Sequence, residues 1–314
     1  MTQKKRETMG KKTPRKPEVL MHFTDLEGLF RMFELGGIPL YDASRWDDVC
    51  DSAMVERGCK EIGVTRYGVL CLMKSDFASH TSQGMKDFDQ CETYAHWKAY
   101  TKSVHVDVPL EAVKMGVRID FKIKGLVTAL ESVKSAALLS PMSYFSYKDY
   151  KDFSKTLDGE KSALLRKRAA YLGENEVRLL VFDQKLSKIP ITVRRTGATA
   201  FIPVSNWKSL IRNIVFSPLC KMEKYPGSPD VDQIRYYAEE ALNRRRRENK
   251  YWSTKAELAC RHLLKGAYRS GILDNEDVLN AIRDNKYERL DLKKDFKKAH
   301  WSCAEKKGKV KRRK

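Results

Sequence analysis

Up to about residue 229 the apolar positions fall in short runs suited to extended backbone; beyond it they recur at helical spacing. VLMHF (19–23), IPLY (38–41), YGVLCLM (67–73), VHVDV (104–108), VRIDFKI (117–123), EVRLLVF (176–182), TAFIPV (199–204) and NIVFS (213–217) each read as a strand, rich in aliphatic, β-branched and aromatic residues. Between the first two, Leu26, Leu29, Phe30 and Phe33 repeat at helical spacing behind Thr24-Asp25-Leu26-Glu27. That tetrapeptide fits a capping box, in which the Thr hydroxyl and the Glu carboxylate satisfy free N–H groups of a first turn. Gly36-Gly37 supplies a left-handed stop. FDQCETYAHWKAYTK (88–102) predicts a second helix with Tyr94, Trp97 and Tyr100 on one stripe, which suits either a core face or a binding wall. Residues 124–165 read as helical or irregular, and no period assigns the piece PMSYFSYKDY within them.

Many short strands, few helices and no regular βαβ alternation predict an α+β fold of mixed, mostly antiparallel sheets with flanking helices. After Pro229 the segments VDQIRYYAEEALNRRRRENK, STKAELACRHLLKGAYRSG, NEDVLNAIRDNK and ERLDLKKDFKKAH are all helical in period, which predicts an α-helical C-terminal module. The expected organisation is a disordered basic arm (1–18), an α+β domain (19–228), a basic helical module (229–300) and a basic tail (301–314).

Composition narrows the class. A chain of 314 residues with 42% hydrophobic content can build a sizeable core. It has no run of about 18 apolar residues and no apolar segment near its start, so the expectation is a cytoplasmic protein with no membrane partner. Seven cysteines are scattered without a Cys-x-x-Cys pair, so neither a disulfide framework nor a metal site is expected.

The charge of +20 is localised: residues 1–18 carry +5, residues 241–270 carry +7 and residues 291–314 carry +8, which leaves the remainder neutral. Basic ends around an electrically ordinary core are the footprint of a nucleic-acid binder, since neutralised phosphates release counterions. A localisation signal or an acidic protein partner fits the same charge. Arg244, Arg245, Arg246, Arg247, Trp252, Lys311, Arg312 and Arg313 are the candidate nucleic-acid contacts. Aromatic residues interleaved with basic ones at Tyr236, Tyr237, Tyr251, Trp252, Tyr268 and Trp301 can stack on unpaired bases, which favours RNA.

YLGENEVRLLVF (171–182) holds the most concentrated candidate chemistry. If its strand is extended, Glu174, Glu176 and Arg178 share one face at the mouth of an apolar run. Such crowding suits a surface ion-pair network or the rim of an active site.

HFTDLEGLFRMFELGGI (22–38) resembles the opening of ADP-ribosyltransferase-like domains, including DarT-type enzymes that modify DNA, where His-x-Thr ends the first strand before a helix and a Gly-Gly turn. The middle is similar to a bacterial defence-associated α+β family: Trp46-Asp47-Asp48 after the second strand, Trp97 with Tyr100 leading into VHVDV, Glu174-Asn175-Glu176-Val177-Arg178, and Ile211 with Ile214 and Pro218. The similarity spans residues 19–220. It implies an ADP-ribosyltransferase-like fold that takes NAD as substrate and modifies nucleic acid, with a toxin or antiviral defence role and an antitoxin or chaperone-like partner. By the same match Glu176 would be the essential catalytic carboxylate and Glu174 its acceptor-side partner. His22 would bond the adenosine ribose with Thr24 beside it. Trp97 or Tyr100 would stack on nicotinamide or pack the core, and Arg45 and Arg178 would meet the pyrophosphate or form plain salt bridges. The tyrosine pair that follows the second strand in better-known members is missing, so no nicotinamide clamp is assigned. A non-catalytic RNA-binding protein on the same fold is the alternative.

Overall fold

The structure is a computed structural model that describes residues 19–74, 94–101, 115–131, 133, 136–145, 163–182, 187–188, 198–220, 230–248 and 252–269. The expected strand at 104–108 and the helices expected beyond 270 lie outside these residues. The chain divides into two compact units, Met1–Ser270 and Gly271–Lys314, and the described residues all belong to the first.

The first unit is a mixed α/β fold built on a mostly antiparallel sheet with flanking helices. Strand β1 (Val19–Asp25) leads through helix α1 (Leu26–Leu35) to β2 (Gly37–Tyr41). Helix α2 (Val49–Glu61) and β3 (Tyr67–Lys74) follow, then α3 (Tyr94–Tyr100), β4 (Gly116–Lys122), α4 (Ile123–Leu130), β5 (Ala137–Pro141) and β6 (Ser143–Phe145). A three-residue strand β7 (Arg166–Arg168) and a 3₁₀ turn (Ala169–Glu174) precede β8 (Glu176–Phe182). Strands β9 (Ser187–Lys188) and β10 (Ala198–Pro203), the short α5 (Trp207–Leu210), β11 (Ile211–Phe216), helices α6 (Val231–Glu248) and α7 (Thr254–Lys265), and β12 (Tyr268–Arg269) complete it.

The main sheet runs β12-β11-β4-β1-β3-β2-β10-β9, and β8 joins the other edge of β3 with β5 beyond it. This branching places the site. Strand β3 pairs with β8 from Tyr67 to Met73, but its opposite edge is divided: Met73 and Lys74 meet β1, whereas Val69 meets Tyr41 of β2. Cys71 lies between these contacts on the divided edge, because residues two apart on a strand point their backbone groups the same way. Its carbonyl is met by a side chain, His22 Nδ1 at 3.1 Å.

Local chemistry fixes the connections. The cap of α1 is Asp25, one residue later than the capping box predicts: its carboxylate accepts the Gly28 N–H at 2.7 Å, while Thr24 remains in β1 opposite Val117. The two glycines after α1 are needed for different reasons. Gly36 has φ 63° and donates its N–H to the carbonyls of Met32 and Phe33. Gly37 has no such angle, but a Cβ there would lie 2.4 Å from the Ile202 carbonyl oxygen of β10.

One large core joins α1, the inner strands and the C-terminal helices. Leu29, Phe30 and Phe33 pack in the same cluster as Ile234, Ala238 and Leu242 of α6 and Cys260 and Leu264 of α7. The composition break at Pro229 is therefore not a break in packing, and the compact unit continues past 228. Polar contacts reinforce the join: Glu34, its side chain 2% exposed, accepts from Arg245 Nη2 at 2.6 Å and from Trp252 Nε1 at 2.8 Å.

Candidate active-site cleft

A cleft of about 910 Å³ opens beside the divided edge of β3, within the usual range of roughly 300–1,000 Å³ for small-molecule sites. Met21 and Phe23 of β1 and Leu72 and Met73 of β3 give it an apolar wall. Trp46, Tyr100 and Tyr171 add aromatic surface, and Glu174, Glu176, Asp51 and Lys167 supply charge.

Glu176 is the first residue of β8, 3% exposed, and both its oxygens are engaged. Arg178 Nε donates to Oε1 at 2.8 Å and Lys167 Nζ donates to Oε2 at 2.8 Å. Its backbone N–H donates to the Tyr144 hydroxyl at 2.8 Å. Burial pushes the carboxyl up, but Arg178 and Lys167 together outweigh burial and hold it below the ordinary range.

Arg178 is the clamp behind it. Its side chain is wholly buried: Nη2 reaches both Asp51 oxygens at 3.0 and 2.8 Å, Nη1 reaches the Leu164 carbonyl at 3.3 Å, and the Trp46 ring stands 5.1 Å away. All three guanidinium nitrogens are committed, so of the two readings open for Arg178 the structure shows the salt bridge, made to Glu176 and Asp51 rather than to Glu174 or Asp47. Asp51 is carried by α2, where Asp48 caps the helix by accepting the N–H groups of Cys50 and Asp51. Asp48 also accepts from Arg168 Nη2 at 2.9 Å; despite the upward push of burial, bonds from Tyr171 and Arg168 hold its carboxyl down to about 2.

Lys167 lies at the centre. Its ammonium is 2.6 Å from Glu174, 2.8 Å from Glu176, 3.6 Å from Asp51 and 4.8 Å from the centre of the Tyr171 ring. Burial disfavours its charge, yet the two glutamates more than compensate and hold its pKa above the ordinary lysine value. Lys167, Asp51 and Tyr171 carry no signal in the sequence that marks them for this cleft.

Of the residues the sequence nominated, Glu174, Glu176, Arg45 and Tyr100 line this cleft. His22 and Thr24 do not. Because Met21 and Phe23 face the cleft, the alternate residues of β1 turn to the other side of the sheet. His22 there stacks 6.4 Å from Phe121 and donates through Nδ1 to the Cys71 carbonyl; burial holds its pKa down. Trp97 is 1% exposed and meets Phe23 edge-on at 5.0 Å, so its role is the core rather than a stacking wall.

The arginine tract divides similarly. Arg245 pairs with Glu27 and Glu34, Arg246 with Glu257 at 3.0 Å, and Arg244 with Glu248 at 3.4 Å, whereas Arg247 is exposed. Trp252 packs 6.2 Å from Phe30 and is a docking contact, not a free stacking platform. Lys311, Arg312 and Arg313 lie outside the described residues. Among those described, no group of histidine, cysteine and carboxylate side chains has a metal-holding arrangement, and no helix is long and apolar enough to cross a membrane.

No protein-family model matches the chain, and no curated protein or solved structure does either.

Proposed function

We propose that the cleft binds NAD and that the chain transfers ADP-ribose from it to a nucleic acid, RNA in preference to DNA. One observation carries the reading: a buried glutamate, held ionised with both oxygens fixed, lies on the floor of an aromatic-walled cleft beside a more exposed glutamate two residues away. In such a transfer the bond between nicotinamide and ribose C1′ breaks and its electron pair leaves with nicotinamide. The sugar becomes oxocarbenium-like, and a prepositioned anion is the group that stabilises it. Glu176 has that character. Glu174, its side chain 35% exposed, would take the proton that the attacking acceptor loses as its bond to C1′ forms. Arg45, exposed on the cleft lining, suits the pyrophosphate.

The lining carries five carboxylates against two cationic side chains among the described residues. A polyanion is not drawn bodily into such a cleft, so one nucleotide enters while basic segments hold the rest of the strand outside. A toxin or antiviral effector of this kind needs a neutralising partner. The second reading is a non-catalytic RNA-binding protein, favoured by the doubly ion-paired state of Glu176, which a purely structural network also displays. Incubation of the full chain with labelled NAD and, separately, RNA, DNA and protein tests both. Label on RNA that Glu176→Gln abolishes supports the transferase; RNA retention with NAD intact supports the second reading.

A further inference from the structure

We propose that Lys167 is the positioning residue of this cleft: its single ammonium bonds Glu174 and Glu176 together and sets the separation and orientation of the two carboxylates. The inference deepens the reading above and rests on it for its catalytic meaning, although the pairing itself is testable without any reaction.

The strand carrying Lys167 is three residues long and pairs in parallel with β6, where Lys167 stands opposite Tyr144. Tyr144 in turn accepts the Glu176 N–H. The small β6–β7 sheet thus grips the head of β8 twice, once through the backbone and once through the lysine. The two glutamates are not otherwise alike. Glu176 has Arg178 behind it and its side chain is 2% exposed, whereas the Glu174 side chain is 35% exposed and sits at the end of the 3₁₀ turn. Between them Asn175 takes a left-handed φ of 43°, which turns the chain so that both carboxylates converge on one ammonium. A lysine suits this place because its ammonium is compact with three donors, whereas a planar guanidinium prefers two oxygens of one carboxylate.

Titratable groups surround Glu176 from several elements, and of these Arg178 and Lys167 hold its carboxyl down. Arg178 lies on its own strand, Lys167 comes from β7, Glu174 from the preceding turn, Asp51 from α2, Cys71 from β3 and Tyr144 from β6. Of the two cations, Arg178 is shared with Asp51 as a buried clamp, which leaves Lys167 as the one that also touches the carboxylate nearer solvent.

The test uses the full chain labelled with ¹³Cδ-glutamate, as wild type, Lys167→Met and Lys167→Arg. Carboxyl titration by NMR should show the Glu176 signal moving to higher pH in Lys167→Met and staying low in Lys167→Arg. An unchanged Glu176 titration in Lys167→Met overturns the inference whether or not NAD is consumed. In turnover, Lys167→Met should lose about 10²-fold in kcat with little change in KM, the size expected when reacting groups are misplaced by about an ångström. Lys167→Arg should lose kcat as well despite its retained charge. Wild-type kcat in Lys167→Arg overturns the positioning role. A wild-type chain that consumes no NAD removes the proposed reaction, and the titration still decides the pairing.

Discussion

Arg178 Nε donates to Glu176 Oε1 at 2.8 Å from two positions further along the same strand. Both side chains therefore leave one face of β8, and the contact requires no long-range search once the strand forms. A third partner makes the pair more than local: Asp51 of α2 accepts twice from the same guanidinium.

Replacing Arg178 by methionine leaves Asp51 and Glu176 to share Lys167 alone of the two cations, in a region where the arginine is 0% exposed. Loss of one partner from a buried ionic network costs about 3–5 kcal/mol. Urea unfolding should show a lower midpoint of that size with an unchanged slope. A change below about 1 kcal/mol would mean the network is solvated in solution.

Glu176→Gln keeps the side-chain shape and removes the anion. Transfer from NAD should fall by roughly 10²–10³-fold, the scale for losing one preorganised electrostatic group, while circular dichroism stays that of the wild type. Label transfer at wild-type rate would exclude Glu176 from the chemistry.

The pH dependence of turnover follows from the direction in which Glu176 is shifted. Its carboxyl is held below the ordinary range, so its ionised form persists as pH falls past the usual glutamate value of about 4.3. The stability this ionisation contributes is present above that value and disappears as pH falls through the folded one. A pH–rate profile should accordingly show no loss assignable to Glu176 between pH 8 and 5. His22 acts in the same direction at a higher pH. Burial lowers its pKa, so the unfolded chain binds a proton first and stability declines as pH falls below about 6.5. His22→Gln should flatten the decline in Tm between pH 7 and 5.

Gly36→Ala and Gly37→Ala should differ in kind. The first places a Cβ in open space at a left-handed residue and should cost about 1–2 kcal/mol. The second drives a Cβ into the Ile202 carbonyl, separating β2 from β10, and should lower Tm more.

Much of the frame was legible from pattern. EVRLLVF matches β8 residue for residue, since a continuous apolar run bounded by polar residues has few other uses. The fold class and the Gly-Gly turn could be read the same way. Helix α2 could not, because VCDSAMVERGCKE carries too few apolar residues to show a period. In the stretch 124–165 the strands β5 and β6 are defined by their partners β8 and β7, which lie far along the chain. At the site, Glu174 and Glu176 were visible through their spacing, and Arg45 and Tyr100 through the resemblance. Lys167 was not: it sits among other basic residues in a three-residue strand, and only tertiary pairing brings it to the glutamates. His22 was over-read because a histidine closing an apolar strand gives no sign that a divided neighbouring edge needs its N–H.

Basic side chains divide by what already holds them. Arg245→Gln should chiefly destabilise the fold, because Glu34 is left buried beneath it. Replacing Lys311, Arg312 and Arg313 by alanine should instead reduce the salt slope of RNA retention by about 2, from roughly 0.7 per phosphate contact on single strands. Identical slopes before and after would remove the tail from the interface.

The join between α1 and the C-terminal helices also governs how the chain can be cut. A fragment ending at residue 229 would bare Phe30 to water and leave the Glu34 carboxylate without Arg245 or Trp252. Such a truncate would be a sticky, partly folded species prone to self-association, and the shortest well-behaved form of the sheet region must retain the arginine-rich helix as its keystone.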